Sequence, residues 1–144
     1  MSELALQIRT FQYPDDYQAV YDLWAQAGTG VHLRRSDEPA EIEKKLQRDP
    51  DLFLLAEIDS QLVGAVLGGF DGRRGMVYHL AVAEEFRQRG IATALMQHLE
   101  ERLRAKGCLK TYLLVTNDND GAMHFYETLG WERMDIQIYT KTLD

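Results

Sequence analysis

A single cysteine, Cys108, leaves this chain unable to form an internal disulfide, which fits a reducing compartment. Cys108 directly precedes an expected strand and reads as a small hydrophobe. The four histidines, His32, His79, His98 and His124, show no close ligand spacing, so no metal site is expected. No apolar run approaches the roughly 18 to 20 residues of a membrane span. The start, Met1-Ser2-Glu3, lacks a basic region followed by an apolar segment, and a cytoplasmic protein that makes no membrane contact is the expectation. Basic residues are outnumbered, 16 against 23 acidic, for a formal charge of −7. That balance argues against nucleic acid as a partner, because phosphate affinity needs clustered lysine and arginine. An acidic surface instead favours encounter with a cation. Neither a Gly-Lys-Ser/Thr P-loop nor G-x-G-x-x-G is present.

What remains is an ordinary mixture of apolar and charged residues over 144 positions, the size of one domain, 1–144, with a single core. Leu4, Leu6 and Ile8 alternate in a first strand ending near Thr10. Pro14, Asp15 and Asp16 suit a helix start, and Tyr17, Val20, Tyr21 and Trp24 give that helix one apolar face up to about Gly28. The stretch Thr29 to Asp37 has no period and reads as a loop. A second helix begins around Glu38-Pro39-Ala40, carries Ile42 and Leu46 inward, and stops at Asp49-Pro50. Leu52 to Ile58 and Leu62 to Phe70 are apolar runs joined by Asp59-Ser60-Gln61, a hairpin connection.

The most informative stretch runs from Met76 to Leu103. Period-two alternation puts Tyr78, Leu80 and Val82 on one strand face and Val77, His79 and Ala81 on the other. A short polar turn follows, and then Ile91, Leu95, Leu99 and Leu103 take helical spacing to about Lys106. A helix start exposes unpaired N–H groups at the positive end of the dipole, a natural seat for phosphate. Gly90 and Ala92 are small enough for a diphosphate to approach the backbone, with Arg87 and Arg89 beside it. The bland alternative is a turn glycine with arginines in solvent. Gly107 stops the helix, Leu109 to Val115 forms another strand, Asp120 to Leu129 a short helix, and Trp131 to Arg133 and Ile136 to Lys141 closing strands. The class is α+β, in the order β-α-α-β-β-β-α-β-α-β-β. The strands flanking the long helix are parallel. Edge strands near either terminus would support a homodimer.

Arg87-Gln88-Arg89-Gly90-Ile91-Ala92 resembles the signature Q/R-x-x-G-x-G/A of the GNAT acyltransferases, with Ala92 where glycine is more usual. Asn119-Asp120-Gly121-Ala122-Met123-His124-Phe125-Tyr126, ending in Gly130-Trp131, is similar to the second landmark of that family. The resemblance covers most of the chain and is nearest to small, single-domain bacterial members. It implies a mixed, mostly antiparallel sheet flanked by helices, with acetyl-coenzyme A as cosubstrate. The pyrophosphate would lie on the turn from Gln88 through Gly90, Ile91 and Ala92 to Thr93. The pantetheine arm would pair with the backbone of Leu80 and Val82, where two strands splay apart.

By the same resemblance Tyr126 contacts the coenzyme sulfur and protonates the departing thiolate, while Asn119 orients the region. Packing alone offers another account, since Ala122, Phe125, Tyr126 and Leu129 form a helical stripe and Asn119 makes an N-cap. The implied reaction is acetyl transfer to a primary amine by direct attack in a ternary complex, the acceptor being a small molecule or peptide. A non-catalytic sensor or partner subunit that binds coenzyme A is the alternative. Some family members that acetylate protein N-termini carry a glutamate five residues before the motif asparagine. Leu114 stands there, which puts a protein N-terminal substrate in doubt. The base is open among Tyr78, His79, Tyr112 and Asp118, possible routes through water included. The acceptor site is expected between the first two helices, with His32 and Arg34.

Overall fold

The computed structural model describes residues 5–28 and 31–143. Two compact units divide the chain, Met1–Leu114 and Val115–Asp144. The first contains a five-stranded sheet in the order β1 (Leu6–Thr10), β2 (Phe53–Ile58), β3 (Gln61–Phe70), β4 (Gly75–Val82) and β5 (Thr111–Leu113). The pairs from β1 to β4 are antiparallel, and β4 with β5 is parallel. The α+β class and the mixed, mostly antiparallel sheet are therefore as expected. Leu4 lies outside the described residues. The β2–β3 hairpin turns on two residues, Asp59 and Ser60, with φ of 51° and 63°, the left-handed pair whose twist matches the flanking strands.

Helices α1 (Tyr17–Ala25) and α2 (Pro39–Arg48) cover one face of the sheet. Val20, Trp24 and Ile42 meet Phe53, Leu55, Ala65, Leu67 and Ala81 in one buried cluster. Helix α3 (Ile91–Ala105) covers the opposite face with Leu95, Leu99 and Leu103. Its approach is close because β3 has glycines below it. A Cβ on Gly64 would stand 3.1 Å from Leu95, and one on Gly68 would stand 2.7 Å from Leu99. Phe53, Leu54, Leu55 and Ala56 are all buried, as a strand covered on both faces requires. Among the described residues no helix is long and apolar enough to cross a membrane.

Three local expectations are corrected. The first helix begins at Tyr17, and Asp16 is not a side-chain cap. Its carboxylate instead takes a two-pronged bond from Arg9 at 2.7 and 2.8 Å and one from the Gln12 N–H at 2.7 Å. Second, β4 does not alternate strictly. Leu67 pairs with His79 and Gly68 with Val77, so Tyr78 is an extra, bulged residue. The bulge groups Val77 with Leu80 and Val82 on the α3 side, and Tyr78 with His79 and Ala81 on the α1/α2 side. Third, residues 131–143 form no strand, and β5 is only Thr111–Leu113. The alternation at Ile136 and Ile138 is real, yet both are more than half exposed. A pattern specifies a strand only where one face is buried and a neighbour supplies the ladder. The second unit holds α4 (Asp120–Thr128), capped by Asn119, whose Oδ1 accepts from the Ala122 N–H at 3.1 Å.

The Arg9 network makes a pH prediction. Its hydrogen bonds hold the Asp16 carboxyl below the ordinary value, so the folded state binds the proton less tightly than the unfolded one. The contribution is present above about pH 3.9 and fades as pH falls through the lowered value. Asp16→Asn is expected to lose about 1 kcal/mol in urea melts at neutral pH, discounted because Arg9 is partly solvated. That difference should shrink in melts at progressively lower pH. A gap independent of pH would refute the assignment.

Candidate active site

The turn between β4 and α3 is built to leave donors free. A short 3-10 turn at Glu84–Phe86 brings the chain round, and Gln88 (φ 63°) and Gly90 (φ 80°) then take left-handed conformations. Gly90 is the N-cap of α3, and no side chain caps the helix. The N–H groups of Ile91, Ala92 and Thr93 therefore have no partner within the helix, and the first helical bond runs from Ala94 to the Gly90 carbonyl at 3.0 Å. Nothing lies within 4 Å of a Cβ built on Gly90, so the space above the turn is open. Arg89 stacks on Phe86, its Cζ 5.2 Å from the ring centre. Arg87 reaches back, its Nε donating to the Val82 carbonyl at 3.1 Å.

The strand leading into the turn has an open edge. β5 pairs only with Gly75, Met76 and Val77. The Ala83 N–H donates to the Val63 carbonyl at 2.8 Å, which assigns Ala83, and by alternation Ala81, to the β3 side of the ladder. Leu80 and Val82 consequently turn their amides the other way, beyond the end of β5. The Val82 carbonyl accepts from Arg87. Such groups need hydrogen bonds from somewhere.

Across the sheet from α3, His79 packs edge-on against Trp24 with centroids 4.9 Å apart. Its Nε2 lies 2.9 Å from Oδ1 of Asp37. Asp37 ends a short 3-10 turn, Arg35–Asp37, within the stretch read as loop, and it is buried. Its Oδ2 accepts from the Arg34 N–H at 2.9 Å, and its carbonyl accepts from the Tyr17 hydroxyl at 2.7 Å. Sequence reasoning missed Asp37, whose only visible signal was an acid just before Glu38-Pro39. The expected acceptor residues His32 and Arg34 are exposed on this loop. Tyr78 is more than half exposed; partial desolvation, with Asp49 adding its charge, raises its phenol. The Tyr112 hydroxyl accepts from Arg74 Nε at 3.3 Å. No cluster of three or more metal-ligating side chains occurs among the described residues.

In the second unit, Tyr126 lies on α4 between Phe125 and Trp131, at centroid distances of 5.2 and 5.9 Å. Burial pushes its phenol up to about 12. Asp118 is exposed.

Comparison with known proteins bears on both units. The family model described as acetyltransferase (GNAT) family matches residues 17–131. An acetyltransferase of Pectobacterium atrosepticum is 47% identical over 139 residues, covering 96% of each chain. Among solved structures, Ard1 from Thermoplasma volcanium superposes with a TM-score of 0.77 at 28% identity, over 88% of this chain and 82% of that one. The PaiA N-acetyltransferase of Thermoplasma acidophilum, solved with coenzyme A, gives 0.78 at 20% identity over 93% and 94%.

Proposed function

The chain belongs to the acetyltransferase (GNAT) family, and from that premise we propose that it transfers acetyl from acetyl-coenzyme A to a primary amine by direct attack in a ternary complex. The observation that carries the reading is the open turn at Gly90 next to the strand edge at Leu80 and Val82, which β5 does not reach. The turn takes the pyrophosphate on the N–H groups of Ile91, Ala92 and Thr93, and Arg87, Gln88 and Arg89 border it. The amides at Leu80 and Val82 take the pantetheine arm as an added strand. Coenzyme A in the PaiA structure supports the same cosubstrate here.

Tyr126 serves the leaving group, and Asn119 holds the start of its helix. A phenol at about 12 stays protonated at neutral pH and donates a hydrogen bond. Complete proton transfer to a thiolate with a reference value of about 8.5 would be uphill by roughly 5 kcal/mol. Tyr126 therefore acts mainly by stabilising sulfur as the carbon–sulfur bond breaks. Tyr126→Phe is expected to lower kcat by about 10²-fold, the lower end of the range for such groups, with coenzyme affinity unchanged. Equal rates for the two proteins would remove Tyr126 from the mechanism.

The decisive experiment is thiol release from acetyl-coenzyme A with polyamines, amino acids, aminoglycosides and lysine peptides. Turnover on one class establishes the transferase and its acceptor. Saturable coenzyme binding without turnover on any of them assigns the protein as a sensor or partner subunit instead.

A further inference from the structure

We infer that His79 is the base that takes the proton from the attacking amine, and that Asp37 is the residue that positions it. The inference rests on the acetyl-transfer reading above and adds the group which that reading leaves unnamed.

The geometry fixes the tautomer. An ionised carboxylate only accepts hydrogen bonds, so the 2.9 Å contact to Asp37 Oδ1 places the imidazole hydrogen on Nε2. The lone pair of the neutral ring is then on Nδ1, for which the described residues provide no partner. Asp37 cannot swing away, because its other oxygen is held by the Arg34 N–H and its carbonyl by Tyr17. Trp24 fixes the ring plane from α1. The His79 side chain is 14% exposed and that of Asp37 is 5%, so the carboxylate is enclosed while the ring keeps a path outward.

Position supplies a second, independent argument. The bulge at Tyr78 turns His79 onto the α1/α2 face, and bulges commonly re-aim a side chain beside an active site. His79 immediately precedes Leu80, whose amides face the open strand edge. It also contacts Asp37 of the loop between the first two helices, so it stands next in chain to the strand edge and against that loop. Among the other candidates, partial desolvation and the charge of Asp49 raise the Tyr78 phenol away from a base's range, and the Tyr112 hydroxyl accepts from Arg74.

The step balances as follows. The acceptor arrives as an ammonium, and one N–H bond breaks as its proton moves to Nδ1. The freed lone pair forms the carbon–nitrogen bond at the thioester carbonyl, and the carbon–sulfur bond breaks with its electrons leaving on sulfur. The second proton lost by nitrogen neutralises the thiolate, and the proton on His79 returns to solvent. Asp37 stabilises the imidazolium in the interval.

The test uses the full chain, acetyl-coenzyme A, and whichever of spermidine, kanamycin and a lysine peptide the wild type acetylates fastest. His79→Gln keeps a donor for Asp37 but has no basic nitrogen. It is expected to bind coenzyme A normally by calorimetry, to lose about 10²- to 10⁴-fold in kcat, and to lose the acidic limb of the kcat–pH profile. Asp37→Asn should lower kcat less and shift that limb, a change that a purely structural bond would not produce. If His79→Gln misfolds, His79→Ala assayed with added imidazole replaces it, and restored turnover supports the base. Wild-type turnover with an unchanged profile in His79→Gln, or no imidazole rescue, overturns the inference and leaves the transferase standing. Bound acetyl-coenzyme A with no turnover of any of the three amines overturns the transferase reading itself, and the inference with it.

Discussion

Gly90→Glu is expected to weaken coenzyme A binding by about 10³-fold or more while the protein stays folded. Micromolar affinity corresponds to about 8 kcal/mol, and a hydrogen bond to a charged group contributes roughly 1.5 to 3. Two or three N–H groups at the start of α3 thus account for much of the total. A carboxylate at Gly90 would place like charge and bulk at the proposed pyrophosphate site. The fold should tolerate it, since a Cβ there meets no atom within 4 Å. The left-handed conformation, φ 80°, adds a penalty of about 1 to 2 kcal/mol for any L side chain. Gly90→Ala carries that penalty without charge, and should keep most of the affinity. Calorimetry on the two variants separates strain from repulsion. Undiminished binding by Gly90→Glu would move the phosphate site elsewhere.

This turn was legible in the sequence because its determinants are local. A strand period, a polar break, Gly90 and a helical period occupy one continuous stretch, and the structure reproduces them within a residue or two. The hairpin at Asp59-Ser60 and the start of α2 at Pro39 were readable for the same reason. The bulge at Tyr78 was not. Val77 and Tyr78 are both apolar enough for either face, so alternation fits a bulged and an unbulged register equally. Asp37 was invisible for a different cause: its meaning lies in a partner 42 positions away. The segment from Trp131 to Lys141 carries a strand pattern that its surroundings do not use, because composition names a preference and pairing must still be supplied.

The second large effect concerns stability. Trp24→Ala is expected to destabilise the protein by about 3 to 5 kcal/mol, a large share of the roughly 5 to 15 that hold a domain of this kind together. Trp24 is only 1% exposed and stacks on Phe53 at 5.7 Å, and Phe53 stacks on Phe11 at 4.3 Å. Removing the indole opens a cavity at the centre of the α1-side core and takes away the wall behind His79. Trp24→Phe preserves the ring stack and deletes an N–H that has no partner among the described residues, so its loss should be distinctly smaller. Thermal and urea melts of the pair provide the check. A loss below about 1 kcal/mol in Trp24→Ala would mean that the site collapses to fill the space.

The glycines on β3 have a consequence for how affinity is set. Gly64 lies directly behind the first turn of α3, where an added Cβ would stand 3.2 Å from Ile91 and 3.1 Å from Leu95. Ile91 is the residue after Gly90. The height of the first α3 amides above the sheet is thus gauged by an absent side chain on the sheet face directly beneath them. Under the proposed binding mode, coenzyme affinity is therefore a property that substitutions on the sheet face beneath α3 tune, in fine steps and without altering any group that meets the ligand.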